Sequence, residues 1–133
     1  MVRVNILFLH LLGHLFNMVI VLVATRYQKI LEWIQNASYE NIKSIDVIKR
    51  NGAKVYLYVE TTLSQGQVIK EFHRVVFEQC RGIYIYEVFG VYHGKIDFHS
   101  YLSDEAKDKM KYYHTKQKDI SSSEIDKYKQ SLS

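Results

Sequence analysis

The sequence predicts an α+β domain built on a five-stranded antiparallel meander, and three observations carry that prediction. Four tripeptides ending in glycine punctuate residues 43 to 101: Arg50-Asn51-Gly52, Ser64-Gln65-Gly66, Cys80-Arg81-Gly82 and Tyr92-His93-Gly94, with glycines 14, 16 and 12 residues apart. The stretches between them, including VYLYVETT, RVVF, IYIYEVF and KIDFHSYL, are rich in β-branched and aromatic residues. Ahead of them lie a charge-free apolar run and then an amphipathic helical pattern. The chain therefore divides into an apolar helix over 1–25, a meander domain over 26–102 and a polar helical tail over 103–133. At 133 residues and 47% hydrophobic content this is one folded domain.

The N-terminal element comes first. Val4 to Thr25 carries no charge, and Ile6 to Ala24 is long enough, as a helix, to cross a hydrocarbon core of about 30 Å. A single-pass membrane anchor is the expectation, its orientation undetermined because Arg3 on one side balances Arg26 and Lys29 on the other. A cleaved signal peptide and a buried helix of a soluble oligomer are the alternatives. His10, Gly13, His14 and Asn17 recur at helical spacing and form one stripe, read as a helix–helix contact in preference to a metal or haem site.

After Thr25, Tyr27, Ile30, Leu31 and Ile34 fall on one face of a helix, with Arg26, Lys29, Glu32 and Gln35 away from it and Asn36 as its stop. Each glycine tripeptide then matches a three-residue hairpin loop whose last position is left-handed. Strands are expected over 43–49, 53–63, 67–79, 83–91 and 95–101. Three-residue loops pair odd positions with odd positions. One face thus collects Ile45, Val47, Val55, Leu57, Val59, Ile69, Val75, Phe77, Ile83, Ile85, Phe89 and Val91, and the other Ile48, Tyr56, Tyr58, Phe72, Val76, Tyr84, Tyr86, Val88, Ile96 and Phe98. Residues 67–79 also fit a helix, with Ser64 as N-cap and Gln67 completing a capping box; hairpin spacing favours the strand. In the tail, Ser103 caps a helix running to about Lys116, and Ser121 with Glu124 caps a short terminal one, expected as a solvated, partly frayed tail or a partner-binding helix rather than core.

Charge excludes the simplest alternative. Residues 26–102 hold 10 basic and 8 acidic side chains and 103–133 hold 7 and 6, so the net charge of +4 is not gathered into the basic stripe that nucleic acid requires. The lone Cys80 permits no internal disulfide, and no nucleophile motif surrounds it. The singly spread glycines do not make a phosphate loop, and no cofactor is expected.

A helix followed by a long antiparallel meander resembles the cone-shaped nuclear-transport-factor-2-like and cystatin-like folds. YIYEVFGVYHGKIDFHSYLSDEA, residues 84–106, resembles the closing hairpin of SnoaL-like proteins and limonene-epoxide-hydrolase relatives, where a phrase of the form "vfevrdGkI...Y..D" recurs. VETTLSQGQVIKEFHRVVFEQ is similar to the preceding strands of that superfamily. The resemblance covers under half the chain. It implies a cup for a small apolar ligand, with isomerase or hydrolase chemistry. Tyr101 matches the family tyrosine, whereas Ser103 stands where hydrolase relatives place a working aspartate and Asp104 comes one position late. Anchored members serve as assembly domains, a class the apolar N-terminus suits.

The odd face supplies the candidate chemistry. Its exceptions to apolarity are Glu71, His73, Glu87, Asp97 and His99, and the loop register places Glu87 opposite His99, with Phe89 between His73 and Asp97. A His–carboxylate pair in an apolar cup is suited to proton transfer. Its bland counterpart is a structural pair at a rim or dimer interface. His73, Asp97 and His99 have ligand chemistry but no tight spacing, so no metal is expected. The function expected overall is a non-enzymatic, membrane-anchored assembly module acting as a homodimer or in a membrane protein complex. The alternative is a small-ligand pocket using Glu87 and His99 as catalytic pair, with His73, Asp97, Glu71, Phe89 and Tyr101 lining it.

Overall fold

The computed structural model describes residues 15–114 and 117–131, and its first element departs from expectation. FNMVIVLV forms strand β1 (Phe16–Val23), rich in β-branched residues. It pairs antiparallel on both sides, with β3 (Lys54–Thr61) and with β4 (Glu87–Tyr92). A central strand covered on both faces reads as an unbroken apolar run, and Ile20, Val21 and Leu22 are all fully buried. Part of the charge-free segment is thus the middle of a sheet. Among the described residues no helix is long and apolar enough to cross a membrane, which overturns the single-pass anchor. His10, Gly13 and His14 lie outside the described residues; Asn17 sits on β1 opposite Glu60, not on a helical stripe.

The amphipathic pattern after Thr25 does become a helix, α1 (Tyr27–Asn36), burying Ile30, Leu31 and Ile34. It leads into β2 (Ile42–Asn51), which turns back into β3. Their pairing of Asn51 with Lys54 leaves a two-residue loop, with Gly52 at φ 62°.

Residues 67–79 are not a strand. They belong to α2 (Gln65–Gln79), opened by the capping box in which Ser64 Oγ accepts from the Gln67 amide while the Gln67 side chain accepts from the Ser64 amide. Val68, Phe72, Val75 and Val76 are buried at the helical period. The cap and the 3.6-residue repeat outweigh the glycine spacing, because Gly66 lies in the first turn and Gly82 in a bend beyond the end. Of the four glycines only Gly52 and Gly94 take positive φ. The fifth strand is β1 instead.

The sheet is five-stranded and antiparallel, in the order β2-β3-β1-β4-β5, with β5 only Lys95–Ile96. Strands and helices through β4 follow the split βαβ connectivity β-α-β-β-α-β. The meander-like parts are the hairpins β2–β3 and β4–β5.

Each face of the sheet has its own core. Ile20, Leu22, Val55, Leu57, Val59 and Val88 pack against α1 and α2. On the opposite face Val19, Val21, Tyr56, Tyr58 and Ile96 meet the tail through Ile120, Ile125 and Tyr128. The tail contains α3 (Asp104–Asp108), a 3₁₀ turn (Lys111–His114) and α4 (Ser122–Ser131). It is not merely solvated, since Tyr113 and Ile120 are each 1% exposed. Gly94 fixes the seam: the Ile120 amide donates to its carbonyl at 3.0 Å, and a Cβ there would lie 2.6 Å from the Ile120 carbonyl oxygen. The Asp119 carboxylate accepts from the Ile96 amide at 2.7 Å, and Lys49 Nζ donates to the Asp119 carbonyl at 2.8 Å.

Candidate functional site

The residues expected to form one cup are distributed over α2, β4 and the segment between β5 and α3. The β4–β5 hairpin turns on two residues, His93 (φ 50°) and Gly94 (φ 80°), so Val91 faces Ile96. A three-residue loop would instead have put Val91 opposite Lys95, and one residue of slip exchanges the faces. The ladder also ends at Ile96. Glu87 is accordingly an exposed residue at the start of β4, opposite Val23, while His99 lies beyond the strand with Nδ1 3.2 Å from the Tyr101 hydroxyl. No contact joins Glu87 to His99 among the described residues.

The remaining members separate in the same way. Glu71 and His73 lie on α2, where Glu71 accepts two hydrogen bonds from the Arg74 guanidinium, at 2.9 and 3.2 Å. His73 Nδ1 is 2.7 Å from the Tyr86 hydroxyl. Phe89 packs in the tail-side core with its ring 5.0 Å from that of Phe98, and Tyr101 is 79% exposed. Ser103, which the SnoaL-like resemblance aligns with a working aspartate, caps α3 by accepting from the Ala106 amide.

Asp97 is occupied structurally. Its buried carboxylate accepts from Lys107 Nζ at 2.6 Å, from the Tyr113 hydroxyl at 3.0 Å and from the His99 amide at 2.9 Å. Burial alone would raise its pKa, but these three donors together hold it below the ordinary carboxylate value. Lys107 is buried as well, 4.9 Å from the centre of the Tyr92 ring. Tyr92 in turn donates to Asp108 at 2.6 Å, and that hydrogen bond pushes its pKa up to about 12. The cluster fastens residues 97–113 to the β4–β5 hairpin and leaves no free acid or base.

A different feature lies upstream of β4. Phe77, Ile83 and Ile85 are 85%, 95% and 84% exposed, and Tyr84 between the isoleucines is 36% exposed. Tyr84 packs its ring edge-on against Trp33 at 5.0 Å, and Tyr86 turns towards His73. On the side of Phe77, Tyr84 and Tyr86 opens a cleft of ≈ 680 Å³, lined also by Lys70, His73 and Arg74 among others. Arg74 is neutralised by Glu71 and Glu78, and the Cys80 thiol donates to the Gly82 carbonyl at 2.7 Å. Burial, followed by the neighbouring Cys80, raises the Tyr86 pKa. Among the described residues no group of three or more His, Cys, Asp or Glu side chains is placed to hold a metal.

Sequence reasoning missed this exposure because the strands expected over 67–79 and 83–91 put Phe77, Ile83 and Ile85 together on the apolar odd face. The helical repeat of Val68, Phe72, Val75 and Val76 was the available signal: it leaves Phe77 off the buried stripe. Compared with known proteins, the chain matches no family model, no curated protein and no solved structure.

Proposed function

We propose that this chain is a non-enzymatic interaction module that self-associates through the exposed strip that carries Ile83 and Ile85. The observation that carries the reading is the exposure of Ile83 and Ile85, 95% and 84%, on alternate positions of a segment with no strand partner among the described residues. Large apolar side chains left exposed close together in a chain, next to aromatic residues, have the composition of a protein contact. The absence of a Glu87–His99 contact and the commitment of Asp97 to Lys107 leave acid–base chemistry without support.

Sedimentation velocity over a concentration series tests it. The wild-type chain is expected to associate as concentration rises, and the double variant Ile83→Asp, Ile85→Asp to remain monomeric with an unchanged melting temperature, because neither side chain contributes to a core. A wild-type chain that is monomeric throughout the series, or a variant that associates equally well, would contradict the proposal.

A further inference from the structure

We infer that residues 81–87 pair with the same residues of a second copy of this chain, as antiparallel strands related by a two-fold axis at Tyr84. This rests on the reading of the strip as a self-association surface and specifies how it is used.

The backbone at this place is open. The β1–β4 ladder ends at Val23 and Glu87. On the far side of β4, β5 meets only Val91 and Tyr92, supplemented by the Asp97 amide donating to the Gly90 carbonyl. Among the described residues no strand pairs with 83–86, and Glu87 and Val88 have no strand on the β5 side. An unpaired edge of this kind is a template for another strand.

The segment also has the side-chain rhythm of a strand. Exposure runs 95% at Ile83, 36% at Tyr84 and 84% at Ile85; Tyr86 is half-buried, Glu87 exposed and Val88 8% exposed. Alternation with a period of two continues the pleat of β4 outward beyond the ladder, with Ile83, Ile85 and Glu87 on one side.

The occupant follows from charge and self-complementarity. Reversed about Tyr84, the sequence Arg81-Gly82-Ile83-Tyr84-Ile85-Tyr86-Glu87 places Ile83 opposite Ile85 and Arg81 opposite Glu87, each pair occurring twice across the axis. Opposed residues in an antiparallel pair share a face, so the isoleucines cover one another and the ions flank them. Both ions are available: Glu87 has no ionic partner among the described residues, and Arg81 donates to the backbone carbonyls of Glu78 and Cys80. Gly82 opposite Tyr86 leaves room for the ring. Moving the axis to Ile83 sets Glu87 against Gln79, and moving it to Ile85 sets Arg81 against Phe89. Tyr84 is the axis that satisfies both charges.

Charge reversal tests the pairing by sedimentation equilibrium of the full chain. Arg81→Glu and Glu87→Arg are each expected to raise the dimer dissociation constant about tenfold, through two like-charge contacts per dimer, and the combined reversal to return it to the wild-type value. Oxidative cross-linking supplies an independent readout in a Cys80→Ser background. Opposed residues fall within the Cα separation of roughly 4.4–6.8 Å that a disulfide needs, whereas Ile83 and its symmetry mate do not. The Ile83→Cys, Ile85→Cys variant should therefore form covalent dimers and neither single variant should. A chain that dimerises and is dissociated by Ile83→Asp, yet gains nothing from the combined reversal, overturns the pairing while leaving self-association intact. A wild-type chain that is monomeric at every concentration overturns both.

Discussion

The two segments flanking the β4–β5 hairpin treat their side chains in opposite ways. Downstream, residues 97–113 bury charge: Asp97, Lys107 and Tyr113 are all nearly inaccessible and satisfy one another. Upstream, residues 77–87 expose hydrocarbon, and Arg81 and Glu87 have no ionic partner within the chain among the described residues. A buried charge that loses its partner is costly, so the downstream segment is committed to the fold. Exposed isoleucine adds little to the stability of an isolated chain, so the upstream segment is available for something else. Stability and association should therefore respond to different residues.

The largest effect should come from breaking the closed side. Asp97→Asn is expected to destabilise the fold by about 3–5 kcal/mol, since it leaves the Lys107 ammonium buried against an uncharged partner. Chemical denaturation measures the loss, and association per folded molecule should be unchanged. The same contacts carry a pH signature. The folded-state pKa of Asp97 lies below its unfolded value, so its contribution is present above the ordinary carboxylate pKa and is lost as pH falls through the folded value. Wild-type unfolding should acquire an acid-side slope that Asp97→Asn lacks.

Gly94→Val should have an intermediate effect, on the order of 1–3 kcal/mol, because φ there is 80° and the added Cβ meets the Ile120 carbonyl. The change separates the tail from the second face of the sheet, and loss of amide protection in α4 before global unfolding would reveal it. The smallest effect belongs to the open side. Phe77→Ser should alter stability by no more than about 0.5 kcal/mol, as for other exposed positions away from structural features. A larger loss by the same denaturation assay would mean that the ring supports the fold.

The sequence conveyed the fold unevenly, for physical reasons. α1 was legible because Ile30, Leu31 and Ile34 repeat at the helical period, and the Ser121–Glu124 cap forms as its spacing implies. The reversal at Gly52 and Gly94 was legible because a positive φ favours glycine. Loop length was not: His93 accepts a left-handed conformation, which shortens the second hairpin by one residue and disperses Glu87 and His99. β1 was misread because a strand buried on both faces has no alternation to distinguish it from an apolar helix. The Lys107–Asp97 contact spans ten residues, across which no periodicity operates. The candidate surface was hidden by the strand expected over 67–79, although the Ser64–Gln67 capping box stated the helical alternative in local chemistry.

The central claim, that residues 81–87 are an unpaired strand completed by a second copy, is tested most directly by hydrogen–deuterium exchange at low and high protein concentration. In the monomer the amides of 83–86 have no strand partner and should exchange rapidly, whereas β1 is paired with β3 along its length and, over residues 20–23, with β4 as well. Protection of 83–86 is expected to rise with concentration while β1 remains unchanged, and Ile83→Asp should abolish the rise. Protection of 83–86 that is the same at both concentrations would contradict the account.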